Sequence, residues 1–249
     1  MNTSKKSKVA IVTGASRGIG AAVAKRLSAD GISVLVNFAN NADSANAVVG
    51  AIKGKGGRAT VIQADVSVPE QVVAMFDQAT ALYGGVDILV NNAGIMQPGL
   101  ISLSDTDDAL FDKIVAVNLK GTFNTLRLAA GKLRDNGRIV NFSSSVRKLA
   151  TPGYTIYSAT KSAVETLTNI FAKELRGRNI TVNAVAPGPT ATDLFLKNKT
   201  NEQIQHLAKM PPLERLGQPE DIANAVAFLV GVDAGWVNGQ TIYVNGGIV

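Results

Sequence analysis

The sequence predicts an α/β protein: a mostly parallel β-sheet with helices on both of its faces. Three observations predict it. Short β-branched apolar runs alternate with helical patterns of ten or more residues, the signature of repeated βαβ units. A glycine-rich turn joins the first such run to the first helical pattern. The composition, 46% hydrophobic but only 5% aromatic with Ala, Val, Ile and Gly prominent, suits strands buried under closely packed helices.

Residues 8–14, KVAIVTG, are the first strand and the entry to its turn, and a helical pattern covers 17–29. Residues 33–38, SVLVNF, read as the second strand. The pattern over 42–53 is helical and stops at the breakers Gly54, Gly56 and Gly57. Residues 59–64 are the third strand. Pro69 fits a first helical position, where a missing N–H is harmless, and its helix runs to about Tyr83 before Gly84 and Gly85. Residues 86–91, VDILVN, are the fourth strand. One long helix is expected over about 107–134, with Gly121 inside it, and Gly137 opens the fifth strand, GRIVNFS. A further helix covers about 154–176, and 180–186, ITVNAVA, is the sixth strand. The polar stretch 192–210 reads as mobile. Pro219 starts a helix to about Leu229, and 240–244, QTIYV, is the last strand. With no linker, repeat or low-complexity stretch, one domain over 1–249 is expected, with 1–7 as a flexible tail.

Composition narrows the chemistry. There is no cysteine, which removes disulfides, thiolate metal sites and a thiol nucleophile. The single histidine, His206, argues against a histidine-based triad or a zinc site. No apolar run approaches the roughly 18 residues of a membrane span. The N-terminal MNTSKKSK is polar and has no apolar signal region, so a soluble, cytoplasmic protein is expected. The net charge is +6, but the basic residues are scattered with none in runs longer than Lys5-Lys6 or Arg147-Lys148. That pattern describes a solvated surface with a mild attraction for anions rather than a nucleic-acid footprint.

The turn Thr13-Gly14-Ala15-Ser16-Arg17-Gly18-Ile19-Gly20 follows a strand and opens a helix. Glycines there let the backbone approach a pyrophosphate, and the helix N-terminus favours its charge. The spacing is G-x-x-x-G-x-G rather than the commoner G-x-G-x-x-G. Choice of dinucleotide turns on the end of the second strand, where a carboxylate would hold a ribose 2′-hydroxyl and repel a 2′-phosphate. The run Val36-Asn37-Phe38-Ala39-Asn40-Asn41 has no acid before Asp43. Arg17 is available as the counter-charge, with Asn40 and Asn41 as donors. NADP(H) is therefore the expected cofactor.

Tyr157 and Lys161 are four residues apart and share a helix face. Taken alone, the pair describes a solvated surface as well as a site. A nearby ammonium would nevertheless lower the phenol's pKa from about 10 toward the working pH and make it a usable acid or base. Ser144 lies thirteen residues earlier, across Pro152-Gly153, and a returning chain would bring its hydroxyl to the phenol.

Together these motifs resemble the short-chain dehydrogenase/reductase family, closest in pattern to its 3-oxoacyl-[acyl-carrier-protein] reductase-like, NADPH-dependent carbonyl reductases. Thr13 to Gly20 resembles the family's TGxxxGxG, Asn91-Asn92-Ala93-Gly94 its NNAG, and Tyr157 with Lys161 its YxxxK. Asn118 lies where the family has its asparagine, and Pro187-Gly188 with Thr190 and Thr192 resembles the loop that meets the nicotinamide. The resemblance implies a doubly wound Rossmann sheet of seven parallel strands. It implies that Tyr157 protonates the carbonyl oxygen as hydride arrives, that Ser144 hydrogen-bonds that oxygen, and that Lys161 binds the nicotinamide ribose and lowers the Tyr157 pKa. Asn118 would hold a water linking Lys161 to solvent. Gly14, Ser16, Arg17, Gly18, Ile19, Gly20, Phe38, Asn40, Asp65, Val66, Asn92, Ala93 and Gly94 would complete the cofactor site. Ser143 and Ser145 compete with Ser144, and the spacing to Tyr157 selects Ser144.

Two departures bear on substrate. The family often has glycine three residues after its serine, and here Arg147 and Lys148 follow, either to meet an anionic substrate or as a solvated pair. The long helix ends LRDNG without a basic cluster for an acidic carrier protein, although Arg178 falls where a carrier-binding arginine occurs. The expectation is an NADPH-dependent reductase of ketones or 3-oxoacyl carbonyls. The alternatives are a dedicated 3-oxoacyl carrier-protein reductase and a non-catalytic NADP sensor. Apolar residues on more than one side of the two long helices, with the family's habit, imply a homotetramer.

Overall fold

A computed structural model describes residues 7–197 and 199–249. The expected tail lies outside them except for Ser7, whose hydroxyl donates to the Gly31 carbonyl at 2.7 Å. Among the described residues seven strands form one parallel sheet: β1 (Val9–Val12), β2 (Ser33–Phe38), β3 (Ala59–Gln63), β4 (Val86–Asn91), β5 (Leu133–Phe142), β6 (Thr181–Pro187) and β7 (Thr241–Val244), in the order β3-β2-β1-β4-β5-β6-β7. The helices are α1 (Gly18–Ala29), α2 (Ala42–Lys53), α3 (Pro69–Tyr83), α4 (Asp108–Ile114), α5 (Gly121–Lys132), α6 (Val146–Leu149), α7 (Thr155–Glu174), α8 (Asp193–Leu196), α9 (Asn201–Lys209) and α10 (Pro219–Val230).

Successive strand residues point to opposite faces and so feed two cores. Ala10, Val12, Val34 and Val36 pack with Leu27, Val48 and Val226 of α1, α2 and α10. Ile11, Leu35, Leu89 and Ile139 pack with Phe76, Leu126 and Ala172 of α3, α5 and α7. All residues of β1 and β2 are buried, which explains the continuous apolar runs Val9–Val12 and 34–36. Each large side chain fully buried this way stabilises the fold by about 1.5–3 kcal/mol. The chain winds outward from β1 to β3, then returns to lay β4 on the other side of β1. That reversal opens a crevice at the carboxyl ends of β1 and β4, where α/β sheets bind ligands.

Three expectations are corrected. The long helix over 107–134 is interrupted by a wider π turn, Val115–Lys120, and ends at Lys132. Asn118 sits in that turn, and the Thr122 hydroxyl donates to its carbonyl at 2.9 Å. Beyond it Gly121 lets α5 pass close to the loop after β3: a Cβ there would lie 2.6 Å from Val66 Cγ2. Strand β5 begins at Leu133 rather than Gly137, because Leu133 already pairs with Val86 before the register breaks and resumes at Arg138 opposite Ile88. LRDNG is thus an irregular strand entrance, with Asn136 left-handed at φ 64°. Finally, the stretch expected to be mobile contains α8 and α9. Thr192 caps α8, and Thr200 and Gln203 form a reciprocal capping box on α9, a T-x-x-Q signal present in the sequence. Asn198, between them, lies outside the described residues.

Candidate active site

A cleft of about 500 Å³ lies at the carboxyl ends of β1 and β4. Its floor is two turns clamped together. The Thr13 hydroxyl accepts from the backbone N–H groups of Asn92 and Ala93, each at 3.0 Å. The Asn92 carboxamide donates to the carbonyls of Thr13 at 2.9 Å and Gly14 at 3.0 Å. This leaves no room for side chains on the glycines: a Cβ on Gly14 would lie 2.9 Å from Ala93 Cα, and one on Gly20 only 2.5 Å from the Gly14 carbonyl. Gly14 and Gly18 also hold φ values of +60° and +54°, a conformation L side chains rarely adopt. Arg17 makes no side-chain cap on α1, and the first-turn residues Gly18, Ile19 and Gly20 line the cleft, where a helix start favours an anion.

The outer end of the cleft is formed by the ends of β2 and β3. Buried Asn37 ties three strands together there, accepting from Gly14 N–H at 3.2 Å and donating to the carbonyls of Ile62 at 3.3 Å and Ala64 at 3.0 Å. No motif marks this role; its one sequence signal is an asparagine set among the apolar residues of a strand. Phe38 lines the cleft, but it is only 6% exposed and belongs to the core. Ala39, Asn40 and Asn41 follow it along the wall, with Asn41 also capping α2 by accepting from Ser44 N–H at 2.9 Å. Asp65 lines the wall with Val66, its carboxylate holding Ser67 N–H at 2.9 Å and the Ser67 hydroxyl at 2.7 Å. No carboxylate stands at the end of β2, whereas exposed Arg17 does line the cleft. A second cation, Lys113 on α4, lines it as well and was not anticipated; only the tertiary fold brings α4 there.

At the inner end stands α7. Lys161 is 4% exposed, donates to the Phe142 carbonyl at 2.8 Å, and its ammonium lies 5.7 Å from the centre of the Tyr157 ring. A Cβ on Gly94 would come within 3.5 Å of Lys161 Nζ and 3.4 Å of Asn118 Oδ1, so this glycine of the cleft wall keeps the approach to the ammonium clear. The Ser144 side chain interacts with the Tyr157 phenol, and its oxygen also accepts from Val146 N–H at 3.3 Å. Its rivals are engaged elsewhere: Ser143 donates to Glu165 Oε1 at 2.6 Å, and Ser145 donates to the Ala186 carbonyl at 3.2 Å while accepting from Asn245 at 3.1 Å. Buried Asn118 accepts from Ile95 N–H at 2.8 Å and donates to the Ile95 carbonyl at 2.9 Å. Its carboxamide shapes the loop after β4, leaving one lone pair of Oδ1 for any other partner.

The expected electrostatics are corrected too. Burial pushes the Tyr157 phenol up to about 12; the Ser144 hydrogen bond opposes the rise and Tyr154 adds to it. Burial holds Lys161 down to about 8. Loss of solvent disfavours both charged forms and outweighs any pull of the ammonium on the phenol. At neutral pH the pair is therefore a neutral phenol beside a protonated, easily discharged amine.

Thr192, Asp193 and Leu194 close the cleft from above, Thr192 packing on the turn at Gly18. Pro187, Gly188 and Thr190 lie just outside its lining; Thr190 is buried and donates to the Gly188 carbonyl at 2.9 Å. Arg178 is committed to the end of α5, pairing with Asp135 at 2.7 Å and donating to the carbonyls of Ala130 and Leu133.

The doubly wound parallel sheet and this clamped glycine floor define a Rossmann-type dinucleotide-binding protein. The chain belongs to the short-chain dehydrogenase/reductase family. A family model described as enoyl-(acyl carrier protein) reductase matches residues 14–249. An NADPH-dependent aldehyde reductase-like protein, chloroplastic, of Arabidopsis thaliana is 44% identical over 97% of this chain and 94% of its own. The 3-oxoacyl-[acyl-carrier-protein] reductase FabG of Staphylococcus aureus is 43% identical over 98% and 99%. Among solved structures, angucycline C-6 ketoreductase LanV with bound NADP superposes with a TM-score of 0.91 at 38% identity, over 97% of this chain and 95% of that one.

The buried lysine yields a direct prediction. Its pKa is lowered from 10.5 to about 8, so between those values the unfolded chain binds a proton that the folded chain has released; burying the ammonium costs stability below that window, and the cost is relieved as pH rises across it. A ¹⁵Nζ NMR titration should place its midpoint near 8; a midpoint above 10 would mean the ammonium is solvated.

Proposed function

We propose that this protein is an NADPH-dependent carbonyl reductase that adds hydride to a ketone or 3-oxoacyl carbonyl and, in reverse, oxidises the alcohol. The observation that carries it is the meeting of Ser144, Tyr157 and Lys161 beside the glycine-floored cleft. The cleft's own features fit NADP(H): glycine positions that a Cβ would block, free first-turn N–H groups, an exposed Arg17 and no acid at the end of β2. Bound there, NADPH supplies the hydride.

The chain supplies the proton and its control. The Ser144 hydroxyl and the Tyr157 phenol hold the substrate's carbonyl oxygen. As negative charge develops on that oxygen, Tyr157 transfers its proton to it. A phenol at about 12 is still far more acidic than an alcohol, whose pKa is close to water's, about 16, so the transfer runs downhill. The Lys161 ammonium stabilises the phenolate left behind. The reverse reaction begins from that phenolate. Tyr157→Phe should retain NADPH binding and lose at least about a hundredfold in kcat. Near-normal turnover in that variant would remove Tyr157 from the reaction.

Selection of NADPH is assigned to Arg17 and the acid-free end of β2. Ala39 is the residue to alter, since Phe38 is core. Ala39→Asp should move kcat/KM from NADPH toward NADH by at least about tenfold, by repelling a 2′-phosphate; an unchanged ratio would place the selection elsewhere. A dedicated 3-oxoacyl carrier-protein reductase is the second reading, supported by the likeness to FabG but not by Arg178, which is already bonded within the chain. Comparing free ketones, 3-oxoacyl thioesters and carrier-bound thioesters as substrates separates the two. Consumption of NADPH with any of them excludes a mere sensor.

We also propose a homotetramer with two-fold axes. Phe111, Phe123 and Ile170 leave apolar surface exposed on α4, α5 and α7, as do Phe228 on α10 and, just after it, Val232 and the 98% exposed Trp236. Light scattering at micromolar concentration should give four times the 25.9 kDa chain mass. A monomer would refute the proposal, and a dimer would leave one interface.

A further inference from the structure

The loop around Ser144 is tied down on both sides, and Ser144 itself is held lightly, its hydroxyl oxygen accepting from Val146 N–H at 3.3 Å and its carbonyl from Arg147 N–H at 3.4 Å. The backbone N–H groups of Ser143 and Ser145 bond to the carbonyls of Val185 and Pro187 on β6, at 2.8 and 3.0 Å. The side chains on either side converge on one carboxylate. Glu165 Oε1 accepts from the Ser143 hydroxyl at 2.6 Å, and Oε2 pairs with Arg147 Nη2 at 2.9 Å. Arg147 also donates to the Tyr243 hydroxyl of β7 at 2.6 Å, and that hydroxyl lies 3.4 Å from Glu165 Oε1. The Lys148 ammonium caps the Tyr243 ring at 4.0 Å. Arg147 is thus bound within its own chain, with about a third of its side chain, 34%, exposed.

The placement of Glu165 gives the network its meaning. It lies one helical turn after Lys161 and two after Tyr157, so one side of α7 carries the phenol, the ammonium and the carboxylate in succession. The carboxylate's side chain is only 15% exposed. A partly buried ion pair adds little net stability, because lost hydration and solvent screening offset the attraction. What it does add is geometry. It grips the loop one residue before Ser144 and three residues after it, and the same helix holds Tyr157. We propose that Glu165, through Ser143 and Arg147, is a positioning residue that sets the Ser144 hydroxyl against the Tyr157 phenol, with Tyr243 bracing the arrangement from β7.

The inference rests on the reaction proposed above, and a double-mutant cycle tests it. Glu165→Ala should lower kcat at least about tenfold, since small misplacements in a reacting constellation have effects of that size. Its Kd for NADPH, followed by fluorescence, should stay within about twofold, as the network lies away from the cleft. Ser144→Ala should lower kcat by about a hundredfold, and adding Glu165→Ala to it should change kcat by less than about twofold, because the loop then has no hydroxyl to aim. Glu165→Gln, which can still accept from Ser143, should recover part of the loss. A wild-type kcat in Glu165→Ala, or losses that multiply in the double variant, would overturn this inference and leave the reaction standing. A wild-type kcat in Ser144→Ala would overturn both. Should Glu165→Ala fail to fold, Arg147→Met enters the same cycle with the same two outcomes.

Discussion

Four hydrogen bonds between two turns hold the working end of this protein together. The Thr13 hydroxyl and the Asn92 carboxamide each reach across from one turn to the other, and they join the carboxyl ends of adjacent parallel strands. A reversing sheet splays open there, which makes the crevice. The clamp keeps the crevice floor closed at the bottom and so tight that only glycine fits at positions 14 and 20. The room for a ligand, the free N–H groups of α1 and the clear path past Gly94 to Lys161 all depend on those two turns keeping their spacing.

Burial supplies the second constraint. Tyr157 and Lys161 look, as a pair, like an acid whose pKa is lowered by its neighbour. In the folded protein the loss of solvent dominates and moves both toward their neutral forms. A phenol that stays protonated is what a proton donor requires, and an amine near 8 keeps its charge at neutral pH while remaining able to give it up. Asn118 contributes by shape: its carboxamide holds the Ile95 backbone, and its place in a π turn carries it in under Gly94.

The polar side chains around the serine loop divide the labour cleanly. Ser143 and Ser145 serve the framework, bonding to Glu165 and to Ala186, and Ser144 between them is left for the phenol. Arg147 and Arg178, both candidates for meeting an acidic partner, are held by carboxylates of their own chain. The cations facing the cleft are instead Arg17 and Lys113.

The sequence by itself determined the strands, their order of appearance, most helix starts and the residues that build the cleft floor. These are local matters: β-branched runs, a proline at a first helical position, glycines at a strand-to-helix turn. Ser144, Tyr157 and Lys161 were legible because helical spacing and the family pattern coincide. Other features were settled only by the tertiary structure. The close passage of Gly121 against Val66 and the early start of β5, where Leu133 pairs with Val86, are contacts between segments far apart in the chain. The bonds that tie Arg147 to Glu165 and Tyr243 span β7, α7 and the serine loop. The direction of the Tyr157 and Lys161 shifts depends on how much water reaches them. Local propensity is written in neighbouring residues, whereas desolvation and cross-chain hydrogen bonds exist only after the sheet has brought distant segments together.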